Sequence, residues 1–184
     1  LYLYGRTRGS REDQRYAALR REWGDAHPQR LFLFLQAQAL AAIPLAGAIA
    51  LAANRPGPID AFDAAGALVL LAGVIGGAVS DWQLARFKAD PGNKGRVCDE
   101  GLWSLSRHPN YFFEWLAWCA WPLIAFDIVG YPIGLFALLA PVLMYYLLVH
   151  VSGVPPLEAH MERSRPEAFA AYKARVPVFF PKLP

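Results

Sequence analysis

Four long runs of apolar residues, nearly free of charge, limit what this chain can fold into more than any other feature. Residues 31–53 are 23 uncharged residues, and similar runs occupy residues 61–80, 109–127 and 133–151. A helix of about 20 apolar residues crosses the hydrocarbon layer of a bilayer. Because buried backbone groups must be paired inside lipid, such runs become helices. The sequence predicts an all-α integral membrane helical bundle with about four transmembrane helices.

The composition agrees with a membrane protein. Hydrophobic residues make up 55% of the chain, mean hydropathy is +0.23, and only 18% of residues are charged, against about 25% in a typical soluble domain. The two cysteines show neither a disulfide framework nor a metal-binding spacing, so we expect reduced thiols and no metal. The opening LYLYGR is typical of the end of an apolar segment, and we expect further helices upstream.

The basic residues indicate an orientation. Of the 18 Lys and Arg residues, seven lie in residues 1–30, five in 81–110 and five in 152–184. The positive-inside rule therefore predicts that these three blocks share the cytoplasmic side. We interpret residues 1–30 as a basic amphipathic segment on the membrane surface, although an ordinary solvated helix also fits. Residues 31–184 form the bundle, and its loop 81–110 and tail 152–184 can build one site.

The stretch GLWSLSRHPNYFFEWLAW carries the most unusual polar residues. A helix starting near Pro109 places Tyr111, Glu114 and Trp118 on one face. A carboxylate a few residues inside an apolar run must face protein, water or a ligand, so Glu114 is a candidate site residue. Tyr111 supplies a hydroxyl donor, but it can equally be an aromatic residue of the membrane interface.

The preceding loop, DPGNKGRVCDEGLW, is typical of an anion-binding segment. Asn93 and Lys94 stand among glycines that let a phosphate approach the backbone, and Arg107 can grip a phosphate with two hydrogen bonds. His108 can donate a proton or contact a phosphate. These residues alone fit equally well a loop that contacts lipid headgroups, with His108 as a polar anchor.

The tail offers two further candidates. Glu158 and Glu162 of the segment E-x-H-x-E share one helix face while His160 points elsewhere, so we do not expect a metal cluster. Tyr172 lies on a short helix predicted over residues 166–175. It could meet a nucleotide, or it could simply pack that helix on the bundle.

Four motifs resemble a known family: GLWSLSRHPNYFFEW, VSGVPPLE, AFAAYKARVPVFFP and the N-terminal REDQRYAALRREWG. They look like those of uncharacterised bacterial membrane proteins that are grouped with the C-terminal domain of steroid 5-alpha-reductases. The wider superfamily also resembles isoprenylcysteine carboxyl methyltransferases and phospholipid methyltransferases, which share an Arg-His-Pro-x-Tyr segment and a C-terminal glutamate region.

The resemblance to the reductases implies an NADPH site in the cytoplasmic half of the bundle. It implies a cofactor role for Asn110 and Glu114, which match the Asn-x-x-x-Glu of that family's motif, and, with a looser match, for Asp81, Arg86 and Asn93. The tyrosine and glutamate that polarise the enone carbonyl in steroid reductases lie in N-terminal helices that have no counterpart in this sequence. No catalytic residue is therefore assigned here.

Our leading expectation is a membrane-embedded NADPH-dependent reductase of a lipophilic enone or alkene, either steroid-like or isoprenoid. Its expected partners are that small molecule and the lipid bilayer, without nucleic acid, and its expected location is the bacterial inner membrane. The expected cofactor-binding residues are Asp81, Arg86, Asn93, Lys94, Arg107, His108, Asn110, Tyr111, Glu114, Glu158 and Tyr172.

Two alternatives remain open. The first is an S-adenosylmethionine-dependent methyltransferase of a lipid or a prenylated thiol, in which Glu114 and Glu158 would sit near the sulfonium and the ribose. The site contains several arginines, which would repel a cationic sulfonium, and this favours the reductase over the methyltransferase. The second is a membrane scaffold or lipid-binding protein without enzymatic activity, whose polar loop only contacts headgroups.

Overall fold

The computed structural model describes residue 20 and residues 23–182, and every regular element within them is helical. Most of the predicted amphipathic segment, residues 1–30, lies outside the described residues. The helices are α1 His27–Ala53, α2 Ala61–Ala89, α3 Pro109–Ile124, α4 Leu139–Tyr146, α5 Val154–Ser164 and α6 Pro166–Arg175. A 3₁₀ segment, Pro132–Leu138, leads into α4, and a π-helical turn, Leu147–Val151, follows it.

Three helical stretches are long and apolar enough to cross a membrane: Gly24–Ala53, Ala61–Ala89 and Pro132–Ser164. They confirm a helical membrane bundle. The fourth expected span, residues 109–127, is corrected: α3 has 16 residues and is about 24 Å long, less than the hydrocarbon thickness of about 30 Å. The helix ends at Ile124, and in the turn that follows it Asp127 Oδ1 accepts a hydrogen bond of 2.8 Å from Gly130 N.

The chain divides into two compact units, Leu1–Ile43 and Pro44–Pro184, with the boundary inside α1. In the described part of the first unit, Trp23 packs edge-on against Phe34 at a centroid distance of 6.2 Å. Leu33 and Leu40 are each 65% exposed. Such apolar exposure is expected of side chains that face lipid.

In the second unit, glycines of α2 allow α3 to pack closely. A Cβ added to Gly73 would lie 2.7 Å from Ala117 N, so the backbones themselves are nearly in contact. Gly66 and Gly76 are equally crowded by side chains of α3, whereas an added Cβ on Gly77 would lie 4.0 Å from its nearest neighbour. Small residues at helix contacts are typical of membrane bundles.

The prediction of a loop from residue 81 is wrong for residues 81–89, because α2 continues to Ala89. Leu84 and Phe87 lie three residues apart on one face and pack against Cys98 and Trp103. The polar loop therefore starts at residue 90. The continuation of α2 matters for the site, since it provides one wall of a cavity.

Candidate functional site

A cavity of about 530 Å³ lies between the end of α2, the loop of residues 90–108, and helices α5 and α6. We call it the loop–tail cavity. Its volume falls within the range of about 300–1,000 Å³ that is usual for small-molecule sites. Seven of the eleven predicted site residues line it: Asn93, Lys94, Arg107, His108, Asn110, Glu158 and Tyr172. The fold thus joins the polar loop and the tail in one site.

The first part of the loop is held by its own polar side chains. Asn93 Nδ2 donates to the carbonyl of Phe87 at 3.0 Å, which satisfies the end of α2. Asn93 Oδ1 accepts a bond of 2.9 Å from Arg96 Nη1, and Gly95 has a positive φ of 84° that reverses the chain. Asn93 therefore shapes the loop, while the exposed ammonium of Lys94 has no polar partner among the described residues.

The second part of the loop is fastened to α2 and to the tail by buried hydrogen bonds. Trp103 Nε1 donates to the carbonyl of Ser80 at 2.9 Å. Tyr172 Oη donates to the carbonyl of Trp103 at 2.6 Å, and Ser106 Oγ donates to that of Phe179 at 2.8 Å. Burial raises the pKa of the Tyr172 hydroxyl, so this group remains a donor. Tyr172 thus packs α6 on the loop as well as lining the cavity.

Arg107, His108 and Glu158 form a charged network in the cavity wall. Arg107 Nε lies 2.8 Å and Nη2 lies 3.4 Å from the two carboxylate oxygens of Glu158. Arg107 Nη1 donates to the carbonyl of Val176 at 2.7 Å, and His108 Nε2 lies 3.2 Å from Glu158 Oε1. The side chains of Arg107 and Glu158 are only 11% and 13% exposed. Arg107 is therefore held by Glu158 and the backbone, and Glu158 is held by Arg107 and His108.

Arg165 has the opposite character and was not predicted. It lines the cavity and is half-buried, but its Nε atom is buried without a hydrogen-bond partner among the described residues. Its Nη1 atom meets only the sulfur of Met161, at 3.3 Å, which is a weak acceptor. Unpaired buried donors are costly, so an acceptor supplied by a ligand would stabilise this guanidinium.

Positive charge dominates the cavity lining. Two carboxylates, Asp90 and Glu158, face five basic side chains: Lys88, Lys94, Arg96, Arg107 and Arg165. The difference is three positive charges. Since Glu158 is already neutralised by Arg107, an anionic ligand fits this lining better than a cationic one.

Two predicted residues adjoin the cavity through a neighbour. Asp81 Oδ1 accepts a hydrogen bond of 3.2 Å from Asn110 Nδ2 and so orients that amide. The ring of Tyr111 stacks on that of His108, with 5.5 Å between centroids and 9° between planes. Both residues can act on a ligand only through the side chains that they hold.

Two other predicted residues are not brought to the cavity. Arg86 lies over the ring of Trp82, with its guanidinium carbon 5.6 Å from the ring centroid. Glu114 lies exposed on α3 and is not among the cavity-lining residues. The predicted helix start is confirmed, since α3 begins at Pro109, but the cavity meets α3 only at its first turn.

Among the charged and aromatic lining residues, sequence reasoning missed isolated positions in three separate elements: Lys88, Trp103, Arg165 and Phe169. Arg165 directly precedes Pro166, where it is the N-cap of α6. That position indicates a helix boundary rather than a ligand contact. The only sequence feature that pointed to a ligand contact in the tail was its excess of basic residues, and this excess does not identify a particular residue.

The comparisons with known proteins place the chain in a family but give no individual relative. Neither the search of curated proteins nor the search of solved structures found a match. A family model matches residues 1–176, which is nearly the whole chain, and its description is "Protein of unknown function (DUF1295)". Because this match covers nearly all of its length, the chain belongs to the DUF1295 family.

Proposed function

We propose that this protein is a membrane-embedded reductase that uses NADPH to reduce a lipophilic enone or alkene, either steroid-like or isoprenoid. The observation that carries the proposal is the excess of basic side chains in the lining of the loop–tail cavity. The same cavity is lined by seven of the residues that we predicted from the sequence to bind a cofactor. The resemblance of GLWSLSRHPNYFFEW, residues 101–115, to the group that includes the C-terminal domain of steroid 5-alpha-reductases supports the same cofactor.

The lining fits a phosphate-bearing cofactor. Lys94 and Arg165 have cationic groups that are little used by the protein, and Arg165 Nε lacks an acceptor among the described residues. Charge-assisted hydrogen bonds from such groups to phosphate oxygens are strong. Phe169 and Trp103 add aromatic surface to the same cavity, which suits the flat rings of a dinucleotide.

The methyltransferase alternative fits the lining less well. A sulfonium would have to lie among five basic residues, with only Asp90 as a carboxylate not already paired with an arginine. Like charges in a site of low dielectric repel strongly. We therefore keep S-adenosylmethionine as the competing ligand in the experiment below.

When bound, NADPH supplies a hydride to the carbon beta to the carbonyl, and a proton added at the alpha carbon completes the reduction. The residues of this chain would bind and orient: Lys94 and Arg165 hold phosphates, and Asn110, fixed by Asp81, donates or accepts a hydrogen bond at the ring end. The Arg107–Glu158 pair keeps α5 against the loop, so the wall remains in place. Pre-arranged groups of this kind lower the cost of aligning two reactants.

The lipophilic substrate and the location follow from the same features. Apolar residues, among them Leu84, Leu157 and Met161, also line the cavity, and it lies beside helices long enough to span a bilayer. The Lys and Arg distribution supports a cytoplasmic position for the cavity and, for a bacterial protein, the inner membrane.

The test is ligand binding to the detergent-purified protein, measured by thermal unfolding with NADPH, NADH and S-adenosylmethionine in parallel. A ligand at 100 times its dissociation constant stabilises the folded state by about 2.7 kcal/mol. We expect a shift with NADPH, its reduction in Lys94→Gln, and no change in Arg163→Gln, since Arg163 is exposed and does not line the cavity.

A shift with S-adenosylmethionine alone would overturn the reductase proposal in favour of the methyltransferase. The absence of a shift with any nucleotide would favour the scaffold. Given binding, the oxidation of NADPH in the presence of lipophilic enones would then identify the substrate class.

A further inference from the structure

A second concave surface lies on the far side of Arg107 from the loop–tail cavity. This shallow groove of about 440 Å³ follows the end of α6 and the chain after it. Its side chains are mostly basic, and none of the described residues that line it is acidic. The residues of this basic groove are Arg107, Lys173, Ala174, Arg175, Val176, Pro177, Phe180 and Lys182.

Three cations of the basic groove are available to a ligand. The exposed ammonium of Lys182 has no polar partner among the described residues. Arg175 Nη2 lies 2.9 Å from Asp99 and Lys173 Nζ lies 2.7 Å from Glu162, and both pairs are solvent-exposed. Lys173 Nζ also lies 3.9 Å from the mostly buried Glu158, at the outer limit of an ion pair. Exposed pairs contribute little, so both cations can turn to a further anion. Arg107, by contrast, is held by Glu158 and the carbonyl of Val176.

Phe180 places the groove near the lipid. Its ring is part of the groove and is 53% exposed. On its other side the ring packs on Trp115, at 5.7 Å between centroids, and on Tyr145, at 6.0 Å. Tyr145 lies in the apolar stretch Pro132–Ser164. Tryptophan and tyrosine are enriched at the boundary between hydrocarbon and headgroups, so this aromatic cluster indicates that the groove opens at headgroup level.

We propose that the basic groove binds the phosphate of an anionic phospholipid. Lys173, Arg175 and Lys182 surround the phosphate, and the exposed edge of Phe180 contacts the glycerol and the first acyl carbons. Anionic headgroups attract basic residues near the membrane surface, and these three basic side chains line the same groove. The proposal does not depend on NADPH, because the groove and the cavity share only Arg107.

The test is lipid binding to the full chain, purified in a neutral detergent and examined by native mass spectrometry. The probes are short-chain phosphatidylglycerol, the zwitterionic phosphatidylcholine of the same chain length, and inorganic phosphate as a soluble competitor. The variants are Lys182→Gln and Arg175→Gln, alone and combined. Arg163→Gln is the matched control, because it removes an exposed cation of α5 that lies outside the groove.

We expect phosphatidylglycerol to bind better than phosphatidylcholine. Each single variant should lower the affinity for phosphatidylglycerol by about fivefold, and the double variant should lower it by about 25-fold. The Arg163→Gln control should leave this affinity unchanged. Equal loss in the control, equal binding of phosphatidylcholine, or unchanged affinity in the double variant would overturn the proposal. So would complete displacement by inorganic phosphate at the concentration of the lipid, which would make the groove a phosphate site.

Discussion

Replacing Glu158 by Gln separates the structural role of the cavity wall from its charge preference. The substitution keeps the shape of the side chain and removes its charge, so the acceptors left to Arg107 are the uncharged amide oxygen at position 158 and the carbonyl of Val176. Breaking a buried ion pair by removing one partner costs about 3–5 kcal/mol. Because these side chains keep 11% and 13% exposure and the amide still accepts a hydrogen bond, we expect a loss of about 2 kcal/mol in unfolding free energy.

The same substitution should strengthen the binding of an anion. Two unit charges about 8 Å apart interact by about 2 kcal/mol at an effective dielectric constant of about 20. Removing the carboxylate therefore removes a repulsion of this order from each nearby phosphate charge, and counterions reduce the effect. We expect NADPH to bind the folded Glu158→Gln protein about tenfold more tightly and any cationic ligand to bind more weakly.

The assay combines denaturant unfolding in detergent with NADPH titration at a temperature where the variant is still folded. Glu162→Gln is the control, because Glu162 lies one turn further along α5, is exposed, and pairs with Lys173 outside the cavity. The control should change neither quantity appreciably. Weaker NADPH binding by a folded Glu158→Gln protein would refute the argument, since it would mean that the carboxylate itself contacts the cofactor.

Three further predictions address other parts of the second unit. Arg165→Gln should change the unfolding free energy by no more than about 1 kcal/mol. It should lower the affinity for NADPH by about tenfold or more in the NADPH titration, and an unchanged affinity would show that Arg165 does not contact the cofactor. Gly73→Ala should destabilise the bundle by about 1–3 kcal/mol, because its Cβ would meet the backbone of Ala117, whereas Gly77→Ala should be tolerated in the same unfolding assay. Burial raises the pKa of the Cys98 thiol. In a Cys119→Ser variant, which leaves Cys98 as the single cysteine of the chain, alkylation at about pH 8 should therefore be slower than that of a free thiol; mass spectrometry measures the rate, and a rate equal to that of the unfolded protein would contradict this.

The helices were predictable because their signals are local. Uncharged runs of sufficient length are enough to predict a span, and proline at the first helical position correctly placed the starts of α3 at Pro109 and of α6 at Pro166. The extension of α2 to Ala89 was not predicted, because it depends on tertiary contacts with residues that are distant in sequence. Phe87 is buried against Cys98 and Trp103 of a later segment, and no pattern within residues 81–89 reveals that contact.

Sequence reasoning found only part of the lining of the candidate site. Residue types such as Asn93 and Lys94 among glycines indicate anion binding wherever the loop lies, and both residues line the cavity. The residues of the opposite cavity wall come from the tail, and which of them line the cavity depends on how the tail packs against the loop. Tyr172 helps to hold the tail in this position. Its hydroxyl donates hydrogen bonds to the carbonyls of Trp103 and Ser106, 69 and 66 residues away in sequence.

The two arginines of the cavity show why residue type alone cannot assign a role. Arg107 carries the stronger sequence signal, because it belongs to the Arg-His-Pro motif, yet its donors are taken up by Glu158 and Val176. Arg165 carries no motif, and its Nε atom lacks a partner among the described residues. A donor that is already paired contributes mainly to stability, whereas a buried unpaired donor gains most from a ligand. Arg107 therefore serves mainly to hold the fold, and Arg165 is the arginine that we propose for the phosphate contact.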